Sequence, residues 1–577
     1  MKQLELNLPL DQDQMSRPTG PTFLCVSELF CRIDADLKLV ASRKRDLRSA
    51  AHRIIAIMGY KDRPDDLILK PAEVRTAINK TTAAQLQISD KRLRNLRSDI
   101  KTLVERYLLP HGAVLKDVTL SPAWEALRDS CRSHPDLYYG LVRFMRYCTS
   151  ISIVPKAVTD QTLKEYMDWV EATVILKDPL KIQRQNRNAW NRAIKNVAGW
   201  PQTELKNPRP SNTYTLPLSA FPANFQAEAK AWLELLQDDD SFNEDAPSRP
   251  LKPASIKTRR YQVRQIASAM VKVGRPLAEF TSLITLIDFD WTSQALAYIS
   301  ERTKNGPTYQ KSSLLYVLQV IAKHWVHADK GIIKRLAIAR KKQSPKPDSM
   351  PSQNRERLAK LKDQAALTKL ITLPIDLLFE AKRGKHNSQK TLHMLEAALL
   401  IEILLMYPLR LKNLAGLKLG RHVKIIGEGR NRRVQIMVPE DEVKNGMPLL
   451  ATLPPESMPI FDAYMERARP KLCRDANDWL FPGPKQGAHK HQDTLGRRVK
   501  STIWNWIGLE VNVHAFRHVD TLIYLTDRPG HYEDVRRILA HTNTETVAKY
   551  YADLEVQPAV DRLHDSILGI RNMKVPV

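Results

Sequence analysis

Three stretches of the chain carry apolar residues at helical spacing and share one coarse order of helix, loop, helix and basic helix. In the first, Leu47, Ala50, Ala51, Ile54, Ile55 and Met58 fall on one face. KPAEVRTAINK follows, and then SDKRLRNLRSDIKTLVERYL sets Leu93, Leu96, Ile100, Leu103 and Val104 in line, with Ser89 as the expected N-cap. The second opens with Leu137, Leu141, Phe144, Met145 and Cys148 and closes with Ala189, Trp190, Ala193, Ile194 and Val197. The third repeats the period through Val263, Ile266, Ala267, Met270 and Val271, then again through Leu314, Leu318, Ile321, Ala322 and Trp325. Proline-rich connectors punctuate these units. The basic run KRLAIARKKQSPKPDSMPSQNRERLAKLK shows no sustained apolar face and reads as an extended linker.

From Pro374 the pattern changes. One long apolar helix is predicted to reach Tyr407, followed by short strands at HVKII, RRVQIMVP and MPLLATLP, then helix to the end. Asn445-Gly446 predicts a tight hairpin turn with Lys444 at or beside it. The expected organisation is an N-terminal helical unit over 1–120, a second over 121–215, a third over 216–345 and a mixed unit over 346–577 that ends in a tail helix.

A chain of 577 residues exceeds the size at which one core keeps growing, which agrees with several units. The 43% hydrophobic content excludes a disordered class, and the formal charge of +27 calls for a polyanionic partner, nucleic acid before membrane. The best membrane candidate, LHMLEAALLIEILLMY, is too short and carries Glu396 and Glu402, so it reads as a buried helix and no membrane partner is expected. The N-terminus lacks the pattern of a secretion signal, so a cytoplasmic, nucleoid-associated location is expected. Five scattered cysteines imply no disulfide framework, and Cys25 and Cys31 have no partner pair for zinc.

The chemistry concentrates at HAFRH, His514 to His518. A zinc-peptidase helix needs a glutamate where this chain has Ala515, and Arg517 would repel a cation, so no metal is expected. The phosphate reading draws on more of the chain. Arg410, Lys444, His514, Arg517, His541 and Tyr550 form a metal-free set for cutting a phosphodiester. Arg410 and Arg517 hold the non-bridging oxygens. Tyr550 is the nucleophile, its phenolate favoured by nearby cations. His514 and His541 move protons while donating hydrogen bonds, and Lys444 protonates the leaving 5′-hydroxyl. Taken singly each has a plainer reading: Arg410 as a helix C-cap, Lys444 as a solvated turn residue, His518 as a core histidine or a partner of the site. Tyr551, adjacent to Tyr550, competes for the nucleophile role.

In order and spacing these residues resemble the tyrosine recombinases, or phage integrases, whose pattern is an arginine after a buried helix, a hairpin lysine, H-x-x-R, L-G-H and a tyrosine nine residues on. The likeness covers roughly Pro374 to Leu554. It departs from the pattern at Pro408, Asn413 and Ala540, where the family commonly has glycine, glutamate and glycine. The resemblance implies a mainly α, multi-domain chain: helical N-terminal and core-binding (SAM-like) domains followed by a mixed α+β catalytic domain with a small antiparallel sheet. It also implies strand exchange through a 3′-phosphotyrosine without metal, ATP or other cofactor, by a tetramer closed round two double-stranded DNA sites. That would suit the integrase or transposase of a mobile element. The rivals are a type IB topoisomerase and a DNA-binding or architectural protein that no longer cuts. Further DNA contacts are expected from Lys257, Arg259, Arg260 and Lys311 in the third unit and from Lys91, Arg92, Arg94 and Arg97 in the first, each cluster having a solvated face as its alternative. In the tail, Val560, Leu563, Ile567 and Leu568 form a stripe that fits either a neighbouring protomer or the chain's own core.

Overall fold

The computed structural model describes residues 24–60, 65–109, 115–206, 214–240, 242–303, 308–345, 352–384, 388–443, 446–541, 543–545, 547–548, 551, 560 and 563–568. It is mainly helical with small antiparallel sheets, and its contacts divide the chain into two compact units. One comprises Met1–Pro208 with Ser349–Val577, the other Arg209–Asp348.

In the unit 209–348, the helices Pro253–Lys272 and Tyr309–His324 supply much of a core that includes Phe225, Trp232, Ile266, Met270, Phe280 and Leu318. Glu228 ties this core together by accepting from Trp325 Nε1 at 2.7 Å and from the Leu283 amide at 2.7 Å. The basic run read as an extended linker is instead largely helical, over Lys330–Gln343 here and Ser352–Leu361 in the other unit. The reason is a sparse apolar face: Leu336 is buried with Ile332, Ile333 and Ala339 packed beside it, and Leu358 and Leu361 are buried farther on. Spacing of three and four residues suffices for a helix that packs on a ready core.

The other unit begins with β1 (Leu24–Cys25) antiparallel to β2 (Ile68–Leu69), followed by helices whose buried faces include Leu47, Ile54, Ile78, Leu93 and Ile100. Ser89 caps the helix Asp90–Leu103, its hydroxyl accepting from the Arg92 amide at 3.2 Å. A second cluster is built on Trp124, Phe144, Tyr166, Trp190 and Trp200. Arg75 fastens the clusters to each other by donating to the carbonyls of Glu171 and Val174 at 2.6 and 3.1 Å, and Asn79 donates at 2.9 Å to the carbonyl of Ile175, whose side chain packs in the first cluster.

The residues 352–551 form the largest core of this unit. The single helix expected from Pro374 is two, Gln364–Arg383 and Gln389–Met406, with Pro374 inside the first. The break follows a start signal at Ser388, whose hydroxyl accepts from the Thr391 amide at 3.1 Å. Glu396, fully buried on the second helix, pairs with Lys490 and with Arg498 at 3.3 Å, while Glu402 accepts from Ser457 Oγ at 2.6 Å. Among the described residues no helix is long and apolar enough to cross a membrane.

A three-stranded antiparallel sheet of β3 (Val423–Ile426), β4 (Arg433–Val438) and β5 (Leu449–Thr452) lies in the order β3-β4-β5. Its register closes Val438 on Leu449, so the link between β4 and β5 is 439–448, longer than the two-residue turn that Asn445-Gly446 suggests. Gly446 does adopt a left-handed backbone, with φ of 66°. Gly508 ends the helix Gln492–Ile507 in the same region, with φ of 73°. Its carbonyl accepts from Gln85 Nε2 at 3.4 Å, and a Cβ added there would lie 2.6 Å from Gln85 Cγ.

Removing the charge of Glu396 leaves two cations without the carboxylate they share. Glu396→Gln is therefore expected to cost about 3 kcal/mol, measured as a lower denaturation midpoint with the fold retained by circular dichroism.

Candidate active site

The helix Gln389–Met406 ends at Tyr407, and Arg410 occupies the N-cap of the short helix Leu411–Ala415 that comes next. Arg517 comes from the helix Val513–Asp527, which Asn512 caps by accepting from the Ala515 amide at 2.9 Å. Arg517 is 5% exposed. Its Nη1 donates to the carbonyl of Pro408 at 3.0 Å and its Nη2 to the carbonyl of Leu539. One side chain thus clasps the segment just before Arg410 and the segment just before His541. Both of its terminal nitrogens are thus turned to backbone carbonyls.

Leu539 ends the turn that closes the helix Tyr532–Ile538. Ala540 then takes a left-handed backbone, φ of 47°, which a side chain with Cβ disfavours by roughly 1 kcal/mol. The turn is fixed on both sides of His541, whose amide donates to Arg536 O at 2.9 Å and whose carbonyl accepts from Arg536 Nη1 at 2.9 Å.

Three histidines border Arg517. His514 and His518 lie one turn apart, ring centroids 5.5 Å, edge to face. His518 is buried, and its Nδ1 is 2.6 Å from the hydroxyl of Tyr551, itself 2% exposed. His518 Nε2 and His541 Nδ1 are shut off from solvent with no hydrogen-bond partner. Burial, then neighbouring histidine and arginine charge, pushes His518 down to about 4 from an ordinary 6.5. His541 is likewise pushed down to about 4 by burial and then by Arg517 and Arg410. His514 is exposed yet shifts the same way, through desolvation first and then Arg517 and Arg410. Burial and the charge of Arg410 bring Arg517 itself down to about 10. At neutral pH the arginines are charged and these imidazoles are neutral, each able to accept a proton. No group of three or more His, Cys, Asp or Glu among the described residues is arranged to hold a metal.

Two participants were not foreseen from the sequence. Asp520, one turn beyond Arg517, has both carboxylate oxygens closed off from solvent and without a hydrogen-bond partner, and burial raises its pKa well above the carboxylate range. Tyr407 sits in the field of Arg517, with burial raising its pKa. The spacing of Asp520 from Arg517 on one helix was a readable signal; the carbonyls of Pro408 and Leu539 left none, because a backbone acceptor has no residue identity.

Lys444 and Tyr550 lie outside the described residues. Asn413, three residues past Arg410, is 8% exposed. Of the cations expected to face DNA, Lys91, Arg92, Arg94, Lys257 and Arg260 are exposed. Arg97 is half-buried and donates to Thr81 O at 3.0 Å, and Arg259 is half-buried over the ring of Tyr316 at 5.0 Å while donating to Gln262. Lys311 needs correction as a surface contact: it is 2% exposed and its ammonium donates to Ser300 Oγ at 2.7 Å, the long aliphatic stem having packed into the core. In the tail, Leu563, Ile567 and Leu568 are exposed.

No protein-family profile matches the chain, and no curated protein matches it. Among solved structures, similarity is found to the crystal structure of XerA recombinase, at 14% identity over 56% of this chain and 93% of that one, with a TM-score of 0.23. The XerH site-specific recombinase bound to difH substrate in a pre-cleavage complex is also 14% identical, over 58% of this chain and 95% of that one, TM-score 0.29. An integrase from mycobacterium phage Brujita shares 15% over 57% and 90%, TM-score 0.22. Likenesses with scores this low carry no weight, and the functional reading rests on the residues.

Ala540→Gly is expected to raise stability by up to about 1 kcal/mol, since glycine takes the left-handed backbone freely; a raised thermal midpoint checks it. The histidines predict a pH dependence of stated sign. His518 and His541 titrate near 4 when folded and near 6.5 when unfolded, so the unfolded chain takes up protons first. Their contribution to stability is complete above about 6.5 and is lost as pH falls toward 4. Urea midpoints measured across that interval in wild type and in His541→Gln should converge at low pH.

Proposed function

We propose that the chain is a DNA-cleaving and rejoining enzyme that attacks phosphorus with a tyrosine, acting as a site-specific recombinase of a mobile element. The observation that carries the reading is the clasp made by Arg517, which gathers Arg410, His514 and His541 around one place without a neutralising carboxylate. Such a place suits the two non-bridging oxygens of a phosphodiester, whose charge grows as phosphorus becomes five-coordinate.

Tyr550 is the proposed nucleophile, from its position nine residues after His541. Its oxygen forms a bond to phosphorus as the bond to the 5′-oxygen breaks, the phenolic proton passes to a neutral histidine, and Lys444 gives a proton to the departing 5′-hydroxyl. The 3′-phosphotyrosine keeps the bond energy, and a returning 5′-hydroxyl reverses each transfer. Tyr551, with its ring in the core and its hydroxyl on His518, is assigned to anchoring this segment.

The proposed partners are two double-stranded DNA sites held by a tetramer, with exposed Lys257 and Arg260 among the phosphate contacts. A nicked duplex trapped on the protein should yield a denaturation-resistant adduct that Tyr550→Phe removes. An undiminished adduct in that variant would move the role to Tyr551. Arg517→Ala should lower cleavage by about 10²–10³-fold while DNA binding, spread over many phosphates, falls far less. Parallel loss of both would count against the clamp.

A further inference from the structure

Far along the chain from the arginine clasp, the first two helical clusters enclose a cleft of about 470 Å³. It is lined by Lys101, Lys116, Arg143, Arg146 and Lys177, with Glu105 the single carboxylate among its lining residues. Among the described residues only Lys101 has a carboxylate partner, Glu105 at 3.5 Å. No ion pair with a carboxylate is found for the other four cations among the described residues, and Nε of Arg146 is closed off from solvent with no hydrogen bond. A site with this surplus gains from any bound anion.

Aromatic rings complete it. Trp169 lines the cleft, backed by Tyr166 in a stacked arrangement with centroids 6.0 Å apart. Tyr139 lines it too and is 75% exposed, an unusual position for a large ring unless something covers it. The walls are preformed, because Arg75 and Asn79 fasten the first cluster to the carbonyls of Glu171, Val174 and Ile175, beside or within the cleft lining.

Cations in excess of carboxylates beside accessible aromatic rings are the chemistry of single-stranded nucleic acid, phosphates on the cations and a base against a ring. A duplex would keep its bases stacked and turned away from Trp169. The volume is that of a small-ligand site, enough for a nucleotide unit and too confined for a membrane surface. We infer that this cleft is an accessory site for one unpaired nucleotide of a single strand. The inference stands apart from the catalytic reading and makes no use of its residues.

The test uses the full chain and a fluorescein-labelled oligothymidine, followed by anisotropy across a salt series. The paired variant Lys116→Gln/Lys177→Gln alters two exposed side chains and leaves the core untouched. It should weaken binding about tenfold and reduce the slope of log affinity against log salt by about 1.4. Tyr139→Ala, equally exposed, should weaken binding by roughly fivefold or more with the slope unchanged. Both differences should persist in an Arg517→Ala background, which separates this site from the clasp. Unchanged affinity and slope in the paired variant would overturn the inference. So would displacement by polyglutamate as readily as by oligothymidine, which would make it an acidic-peptide site. Saturation by free thymidine monophosphate at the concentration needed for the oligonucleotide would also overturn it, in favour of a free nucleotide.

Discussion

A guanidinium taken out of water and given two backbone carbonyls organises the candidate active site. Burying a charge is costly unless it is hydrogen-bonded, and Arg517 meets that condition through Pro408 and Leu539. Those acceptors belong to segments far apart in sequence, so one side chain brings together what the chain order separates. The bonds also orient the guanidinium. Burial first and then the charge of Arg410 bring Arg517 down to about 10, while burial alone lowers Arg410. Asp520 does not relieve this, since burial favours its neutral acid. The described part of the site therefore holds an excess of positive charge fixed in place by backbone hydrogen bonds.

The turn that carries His541 shows where the fold accepts local cost for that arrangement. Ala540 stands in a backbone region that glycine occupies more easily, yet this conformation aims the Leu539 carbonyl at Arg517. Strain of this kind persists where surrounding bonds over-determine it, and Arg536 supplies such bonds on both sides of His541. Burial first and then the positive neighbours keep the histidines neutral.

Which features the sequence disclosed depended on whether they were written in side chains or in backbone. Helical faces such as Leu93–Ile100–Leu103 and the cap at Ser89 were legible because period and capping chemistry are local. The run after Lys330 was misread because its helix is held by few apolar contacts around Leu336, below what a charge-dominated stretch makes conspicuous. Asn445-Gly446 was read as a tight hairpin turn, but the link is longer, as the pairing of Val438 with Leu449 sets it, with Gly446 left-handed within it. Arg410, His514, Arg517 and His541 stood out by type and order, whereas the carbonyls that join them were invisible. Lys311 was marked by its charge and lies in the core, because a lysine stem packs like an aliphatic chain.

The left-handed backbone of Gly508 refuses most side chains, and Gln85 Cγ refuses a Cβ independently. The helix end at 508 and the seat of the N-terminal cluster thus share a single position. Any side chain introduced at 508 would therefore disturb the helix end and the Gln85 contact together.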